Sequence, residues 1–338
     1  MENWIYNSNN ESDIVLSSTI RLSRNFKNLP FPNKLNYMKG RESSKIVYMM
    51  LKEELKDDEI TLYEVWANRE EINKEYMEKG LISKELLKNS DKAAFIINEN
   101  QTISIMINEE DHINIQCTTA GLNLEDAFSN ATVIDDKIEK KFDYAFNENL
   151  GYLTASPSHL GTGMKASVRI HLPALTMSEE INNVLKRLTQ IGMAIKGVYL
   201  DGTKSYGSIY EIYNKVSLGI SEEEIINNLK ETVLNIISEE KKFREILLSK
   251  CKYELEDRVY RAYGTLKSAI LLDSKETIEL LSSVRLGAEL SLIDIDKSKL
   301  NELLVITRDT LLQNYLDRPI EPKEIKYERA KIVKEILM

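Results

Sequence analysis

The sequence contains few of the residues that are typical of disulfide-rich extracellular proteins, of proteins stabilised by a structural metal ion, or of fibrous proteins. Its 338 residues include two cysteines, Cys117 and Cys251, together with 13 glycines and 6 prolines. Two distant cysteines form neither a Cys-x-x-Cys metal pair nor a disulfide framework, which predicts a reducing cytoplasm and no structural zinc. The glycine and proline content is also too low for a collagen-like or low-complexity chain.

The chain lacks a surplus of positive charge and lacks long apolar runs. Its 45 basic and 54 acidic residues give a formal net charge of −9. Because a protein that binds nucleic acid needs a basic face, we expect no nucleic-acid partner. No apolar run approaches the ~20 residues that span a bilayer, and the first ten residues do not form a signal peptide. We therefore expect no membrane partner and a cytoplasmic location.

The first 250 residues mix strand-like and helix-like segments. Two β-rich runs flank the turn residues 98–100, which predicts a hairpin, and a third run follows closely. The predicted strands are 93–97, 102–107, 113–118, 168–172, 194–200 and 208–216. The predicted helices in this part are 124–146, 178–191 and 221–248. The order of these segments is not a repeating βαβ series.

Strand signals disappear from residue 255 onward. Four amphipathic segments follow, and their apolar spacing predicts helices. They are 255–271, 275–290, 299–315 and 323–337. This shift predicts a domain over residues 1–250 and an all-α domain over residues 251–338.

Two segments place cations beside hydroxyl groups or glycines. In the first, Arg21 and Arg24 follow Ser18 and other hydroxyl residues, and a planar guanidinium matches the oxygens of a phosphate. The second, residues 151–165, is rich in small residues and ends at Lys165, so its backbone amides can approach an anion. Taken alone, the first segment is better explained as a solvated surface, and the second is equally compatible with an ordinary turn.

A run of carboxylates follows the apolar strand 102–107 directly. Glu109, Glu110 and Asp111 are consecutive, and His112 comes next. Neighbouring carboxylates repel one another, which is useful where they hold a cationic group or accept a proton from it. A plain acidic loop is the alternative interpretation. A further carboxylate, Asp201, ends the predicted strand that carries Lys196.

Taken in order, these segments resemble the guanidino kinases, or ATP:guanido phosphotransferases. The strongest resemblance is to the bacterial protein-arginine kinases of the Clp stress-response system. The matching motifs are Ile-Met-Ile-Asn-Glu-Glu-Asp-His at 105–112, Leu-Gly-Tyr-Leu-Thr at 150–154, Pro-x-x-x-Gly-Thr-Gly at 157–163, His-Leu-Pro-Ala-Leu at 171–175, Arg-Ala-Tyr-Gly at 261–264 and Val-Arg-Leu-Gly at 284–287. The resemblance implies an α+β fold in which an antiparallel sheet is flanked by helices, followed by the all-α domain.

The resemblance also implies a reaction and its residues. The protein would transfer the γ-phosphoryl group of ATP, with Mg²⁺, to arginine side chains of proteins. Glu110 would be the principal base, Glu109 its orienting neighbour, and Asp201 a second substrate-binding carboxylate. The residues implied in ATP binding are Ser18, Arg21, Arg24, Lys165, Arg169 and Lys196. Small-molecule guanidino kinases usually carry a helical domain ahead of the first motif, and the short leader before Ser17 favours a protein-bound arginine.

Several positions depart from the family pattern. Thr19, Asn114, Lys165 and Lys196 stand where the family has arginine, Ser156 where it has a reactive cysteine, and His159 where it has asparagine. Lysine offers a phosphate a point charge and lacks the bidentate fork of arginine. A second function class therefore stays open, namely a catalytically impaired regulatory or phosphoarginine-binding protein. Against it, only Arg329-Ala330 remains of the family's C-terminal phosphoarginine-sensing motif.

The resemblance further implies protein partners. These are protein substrates with exposed arginines, a zinc-finger activator protein and Clp chaperone or repressor components. It also implies a homodimer.

Overall fold

The computed structural model describes residues 3, 5, 14–55, 59–201 and 204–338, and for residues 200, 201 and 204 the backbone alone. Its contacts divide the chain into two compact units. Among the described residues, unit 1 contains 17–55, 59–167 and 213–230. Unit 2 contains 14–16, 168–201, 204–212 and 231–338. Within the described ranges, no helix is long and apolar enough to cross a membrane.

The strands are short to medium in length and concentrate in the first two thirds of the chain. They are β1 Val15–Arg24, β2 Ile60–Glu64, β3 Ala94–Asn98, β4 Ile103–Ile107, β5 Ile113–Ala120, β6 Phe146–Asn147, β7 Gly151–Tyr152, β8 Met164–His171, β9 Met193–Asp201 and β10 Lys204–Asn214.

The helices surround the strands in the first part of the chain and replace them in the last part. They are α1 Tyr37–Glu54, α2 Glu70–Glu78, α3 Lys84–Lys88, α4 Leu124–Glu139, α5 Pro173–Met177, α6 Ile181–Gln190, α7 Glu222–Lys250, α8 Lys252–Ser268, α9 Ser274–Glu289, α10 Lys297–Ile306, α11 Asp309–Tyr315 and α12 Ile325–Leu337.

Unit 1 is built on an antiparallel sheet. Its strands follow the order β2, β3, β4, β5, β1 and the first half of β8. The pairings of β2 with β3, β3 with β4, β4 with β5 and β5 with β1 are all antiparallel. One face of β3 and β4 packs against α2 and α3 through Phe95, Met106, Tyr76 and Leu86. Because side chains alternate along a strand, this packing fixes which residues of β1 and β5 share a face.

Unit 2 contains the second half of β8, then β10 and β9, and the C-terminal helices. Its apolar core joins α8, α9, α10 and α12, with Val259, Val284, Leu300 and Val333 among the buried side chains. Several buried charges are paired beside this core. The carboxylate of Glu289 lies 2.7 Å from a guanidinium nitrogen of Arg244 and 3.0 Å from Nε of Arg285.

The ion pairs set the protonation state of the buried carboxylate. Burial alone would raise the pKa of Glu289, but its contacts with His171, Arg244 and Arg285 outweigh burial and lower that pKa to about 2. Glu289 is therefore ionised at neutral pH. A paired charge of this kind ties α7 to α9 only while both partners remain in place.

The structure confirms the predicted fold class, an antiparallel sheet flanked by helices with a helical C-terminal region. The hairpin of β3 and β4 and its neighbour β5 match the predicted strands. Ser221 and Glu224 form a capping box at the start of α7, in which the Glu224 N–H donates to Ser221 Oγ at 3.2 Å and the Ser221 N–H donates to Oε2 of Glu224 at 2.9 Å. In the described residues, no strand follows residue 260.

Three predicted helices are shorter or broken, each for a local reason. Helix 124–146 ends at Glu139, Tyr144 instead forms an isolated antiparallel bridge with Phe26, and Phe146 begins β6. Helix 178–191 begins at Ile181, after Glu179 adopts a φ of 59°. Helix 299–315 divides into α10 and α11 because the Thr307 carbonyl accepts a bond from Nε of Arg329. The compact units also divide the chain differently from the predicted boundary near residue 250, which stays a prediction.

Candidate active site

The acidic segment forms the tight connection between β4 and β5. The Asn108 N–H donates to the His112 carbonyl at 3.0 Å, which closes the loop. Asn108 has a φ of 58°, a conformation that asparagine tolerates better than most residues. Its side-chain amide donates to the Gly40 carbonyl at 2.9 Å and so anchors the loop to α1. The backbone that carries Glu109 and Glu110 is therefore fixed on both sides.

Glu109 and Glu110 meet different surroundings. Glu109 is 5% exposed, and each of its carboxylate oxygens accepts a hydrogen bond from the protein. Ser83 donates to Oε1, and Nδ2 of Asn114 donates to Oε2 at 2.5 Å. Glu110 is exposed. This arrangement immobilises one carboxylate and leaves its neighbour accessible to a partner from solution.

Asp111 links the acidic loop to the glycine-rich segment. Its Oδ1 accepts from Nδ2 of Asn25 at 2.5 Å and from the Ala155 N–H at 2.7 Å. Burial raises the pKa of Asp111 to about 6, and the charges of Glu109 and Glu110 add to the rise, while the two hydrogen bonds oppose it. Asp111 thus serves to hold two loops together.

His112 is a buried neutral residue. The Phe26 N–H donates to its Nδ1 at 3.2 Å, so the proton of the neutral ring is on Nε2, which donates to the Pro30 carbonyl at 2.9 Å. Burial lowers the pKa of His112 to about 4, although the bond to Pro30 opposes the shift. The histidine therefore acts as a fixed support for the loop.

The residues of the first cationic segment have three different environments. Arg21 is partly exposed, and its Nη2 donates to Oε1 of Gln116 at 2.7 Å across the β1–β5 pairing. Thr19 meets Thr118 at 3.0 Å between hydroxyl oxygens. Ser18 is fully buried, donates to the Gly121 carbonyl at 2.8 Å and accepts from the Asn123 N–H at 3.0 Å. The hydroxyl of Ser18 is thus used inside the protein.

Arg24 is held almost completely by the protein. Its side chain is 3% exposed, and Nε and Nη2 donate to the same oxygen of Asp135 at 3.0 and 2.7 Å. Nη1 donates to the carbonyls of Ser23 and Thr162, both at 3.0 Å. The guanidinium carbon lies 3.6 Å from the centre of the Tyr152 ring. Through these contacts, Arg24 supports the glycine-rich segment. Its environment is unlike that of Arg21, which is partly exposed.

The glycine-rich segment is shaped by close backbone contacts. Gly161 has a φ of 95°, and a Cβ there would lie 2.2 Å from the Ser217 carbonyl oxygen. Gly163 has a φ of 64°, and a Cβ there would lie 2.6 Å from Nη1 of Arg24. Only glycine fits both requirements. The segment leads into β8, where the Lys165 ammonium lies 4.1 Å from the centre of the Tyr213 ring.

The pKa of His159 indicates that positive charges lie near it in unit 1. Burial lowers its pKa, and the charges of Lys165 and Arg21 add to that effect, while Glu109 opposes it. The two cations and the Glu109 carboxylate therefore lie within electrostatic reach of one imidazole. A phosphate group beside Lys165 and Arg21 would be stabilised by the same charges.

The remaining predicted site residues belong to unit 2. Lys196 on β9 pairs with Glu211 on β10 at 3.1 Å, and Arg169 is partly exposed on β8. Asp201 ends β9, and its side chain lies outside the described residues.

Arg329, at the position of the reduced phosphoarginine motif, is 1% exposed. Its Nε and Nη1 donate to the carbonyls of Thr307 and Leu272 at 2.7 and 2.8 Å, and Nη2 bonds to Asp309.

Sequence reasoning missed several residues around the carboxylates. Ser83 gives a recognisable signal, because it is the N-cap of α3 and accepts from the Leu86 N–H at 3.1 Å. Nothing in the sequence connects it with Glu109, 26 residues later. Asn25 lies at the end of the first cationic segment, and its position alone does not indicate its bonds to Asp111 and His112. Asp135 gives no sequence signal beyond its place on a helix.

Comparisons with known proteins show which family the sequence resembles. Residues 42–243 match the family described as ATP:guanido phosphotransferase, C-terminal catalytic domain. Residues 252–338 match the protein-arginine kinase McsB C-terminal domain. The first match alone covers more than half of the chain.

Individual proteins extend the similarity over the full length. A protein-arginine kinase of Clostridium botulinum is 60% identical over 337 residues, which cover 100% of this chain and 99% of the relative. A protein-arginine kinase of Clostridium tetani is 48% identical over 338 residues, again covering 100% and 99%. A crystal structure of lombricine kinase is 26% identical with a TM-score of 0.59, and the match covers 70% of this chain and 68% of that one. The chain therefore belongs to the ATP:guanido phosphotransferase family.

Proposed function

We propose that this protein is a protein-arginine kinase, which transfers the γ-phosphoryl group of ATP to arginine side chains of proteins. The observation that carries the proposal is the 60% identity over the full chain to a relative named protein-arginine kinase. The paired carboxylates at the β4–β5 loop support it, and so do Arg21 and Lys165, whose charges act on the same His159 imidazole as that of Glu109. An exposed and an immobilised carboxylate side by side suit a cationic substrate.

The proposed chemistry needs little from the protein beyond orientation and charge. A guanidinium nitrogen attacks the γ-phosphorus, an N–P bond forms, and the bond from that phosphorus to the bridging oxygen of ADP breaks. A guanidinium is a weak nucleophile because its pKa exceeds about 12. A carboxylate must therefore accept the proton that leaves the attacking nitrogen, and Glu110 is the proposed base because it is exposed beside the fixed Glu109.

ATP would be held by cations. By the resemblance, Arg21, Lys165, Arg169 and Lys196 are the proposed phosphate ligands, and Asp201 is proposed to hold the substrate guanidinium. Mg²⁺ usually binds through nucleotide phosphates, with few protein ligands. In the described ranges, no group of three or more histidine, cysteine or acidic residues is placed to hold a metal ion. When bound, Mg²⁺ would neutralise charge on the transferred phosphoryl group.

The proposed partners are proteins with exposed arginines. A zinc-finger activator, Clp chaperone or repressor components and a homodimer are further proposals that rest on the resemblance, as is a cytoplasmic location.

The proposal is tested by incubating the purified protein with Mg²⁺ and γ-labelled ATP. One sample contains an arginine-rich protein and a second contains free arginine at the same guanidinium concentration. We expect label in the arginine-rich protein, released by mild acid because N–P bonds are acid-labile, and much less label in free arginine. Equal or greater labelling of free arginine would replace the proposed substrate class by a small molecule.

A further inference from the structure

Four polar side chains of unit 1 form a continuous chain of hydrogen bonds that passes through the Glu109 carboxylate. Ser23 Oγ donates to Oδ1 of Asn114 at 2.5 Å, and Nδ2 of Asn114 donates to Oε2 of Glu109 at 2.5 Å. Ser83 donates to the other carboxylate oxygen. Ser23, Asn114 and Glu109 are all buried. We call these residues the Glu109 clamp.

The chemistry of the clamp fixes the direction of each bond. An ionised carboxylate only accepts, so the asparagine must point its NH₂ group at Glu109 and its oxygen at Ser23. Arginine and lysine have no acceptor for the Ser23 hydroxyl, and aspartate has no donor for Glu109. Among these side chains, asparagine alone satisfies both neighbours at position 114.

We propose that Asn114 and Ser83 are positioning residues for the guanidinium substrate, because they fix the plane of the Glu109 carboxylate. This inference rests on the proposed kinase function and deepens it. A guanidinium presents parallel N–H groups in a fixed plane, so a carboxylate that holds it must keep its own plane. With one bond from the protein on each oxygen, Glu109 cannot rotate without breaking a buried hydrogen bond.

The clamp gives Asn114 a role that differs from that of a phosphate ligand. A residue facing ATP phosphates would affect the KM for ATP. A residue that holds Glu109 affects the guanidinium substrate instead. The two roles also predict opposite results for Asn114→Arg. As a phosphate ligand the new arginine would raise turnover, whereas in the clamp it would pair with Glu109, leave the Ser23 hydroxyl without an acceptor and lower turnover.

The test measures kcat and KM for an arginine-containing peptide and for ATP, in the wild type, Asn114→Ala and Asn114→Arg. We expect kcat/KM for the peptide to fall tenfold or more in both variants, because displacement of a positioning group by about 1 Å can cost ~100-fold. We expect the KM for ATP to stay within about twofold. A changed KM for ATP with an unchanged peptide kcat/KM would overturn the clamp.

Variants at Ser83 separate positioning from folding. Ser83→Thr keeps the hydroxyl and should retain activity. Ser83→Asp keeps an N-cap acceptor for α3 but places a second carboxylate against Glu109, so peptide kcat/KM should fall. Asn36→Ala is the matched control, because it removes the exposed N-cap of α1, where Oδ1 of Asn36 accepts from the Lys39 N–H at 2.9 Å. Equal losses of peptide kcat/KM in Ser83→Asp and Asn36→Ala would mean that lower stability explains the loss, and would contradict a positioning role for Ser83.

The outcome for the clamp is distinguishable from that for the kinase function. Absence of phosphoarginine from the wild type overturns the proposed function. Crystal structures of the wild type and Asn114→Ala then decide the clamp by themselves. A Glu109 carboxylate that turns in the variant supports the clamp, and an unmoved carboxylate contradicts it.

Discussion

Glu109 and Glu110 are neighbours in the chain, yet their side chains meet opposite environments. The first is buried and bonded on both oxygens, and the second is exposed. A similar contrast separates Arg21, which is partly exposed, from Arg24, which is almost fully bonded within the protein. In both pairs, the protein fixes one side chain in place and leaves the other more accessible to solvent.

The two arginines should therefore respond differently to the same substitution. Arg24→Lys loses the shared grip on Asp135 and the two carbonyl bonds of Nη1, and we expect the free energy of unfolding to fall by ~2 to 4 kcal/mol. Arg21→Lys should lower it by less than about 1 kcal/mol and raise the KM for ATP. Urea unfolding measures the free energy of unfolding of each variant, and steady-state kinetics measure its KM for ATP. Equal loss of stability in the two variants would contradict the assignment.

Asp111 should make stability depend on pH. Its folded pKa of about 6 lies above the value of 3.8 for a free aspartate, so its contribution is present below about pH 4 and is lost as pH rises through 6. Asp111→Asn keeps the oxygen acceptor and removes the titration. We expect the variant to gain stability relative to the wild type between pH 4 and 7, by up to roughly 3 kcal/mol. His112 is present in both proteins and cancels from the comparison. A difference that stays constant with pH would refute this account.

Single residues show where sequence reasoning stops. Consecutive carboxylates after a strand are visible in the sequence, and they identify Glu109 and Glu110. Ser83 is visible only as a helix cap, because its bond to Glu109 depends on how α3 meets the β4–β5 loop. Asn114 looks like a lost phosphate ligand in the sequence, whereas its hydrogen bonds join Ser23 to Glu109.

The strands and loops around the site depend on backbone conformations that few residues adopt. Gly163 precedes β8, has a positive φ and lies against both Arg24 and the Ser23 carbonyl. Gly219 has a similar φ of 77°, but a Cβ there would meet nothing within 4 Å. A side chain at either glycine would therefore strain the backbone, but only a side chain at position 163 would also collide with neighbouring atoms.

Gly163→Ala should be clearly more destabilising than Gly219→Ala. Both alanines carry the ~1 to 3 kcal/mol cost of a left-handed conformation, and only the first must also displace Arg24 or the strand backbone. Urea unfolding of the two variants gives the difference directly. Equal free energies of unfolding in the two variants would show that the close contact at Gly163 does not contribute to the cost, and would contradict this prediction.

Regular elements were predictable where apolar periodicity was strong. The hairpin of β3 and β4 has β-rich runs on both sides of a polar turn, and its register follows from them. The helix α1 gave no comparable signal, because its buried face includes Gly40, Ser43 and Ser44 beside Val47 and Leu51. Small and polar residues on an inner face conceal the period that a helix prediction requires.

The whole chain combines a matched catalytic family over 42–243 with a matched C-terminal domain over 252–338. The family was recognisable from the sequence because long motifs occur in the expected order. The division into compact units was not, because α7 contributes residues 222–230 to unit 1 and 231–250 to unit 2. A helix without a break gives no composition signal for such a division.

The assignment of the acidic loop is tested most directly by the phosphoarginine formed per enzyme at saturating Mg-ATP, in the wild type, Glu110→Gln and Glu99→Gln. Glu99 is an exposed glutamate at the opposite end of the β3–β4 hairpin, so it controls for loss of one charge. We expect the wild type and Glu99→Gln to form phosphoarginine at similar rates. Glu110→Gln should form none above background while still binding ATP, because its amide cannot accept the proton. Undiminished phosphoarginine formation by Glu110→Gln would contradict the account.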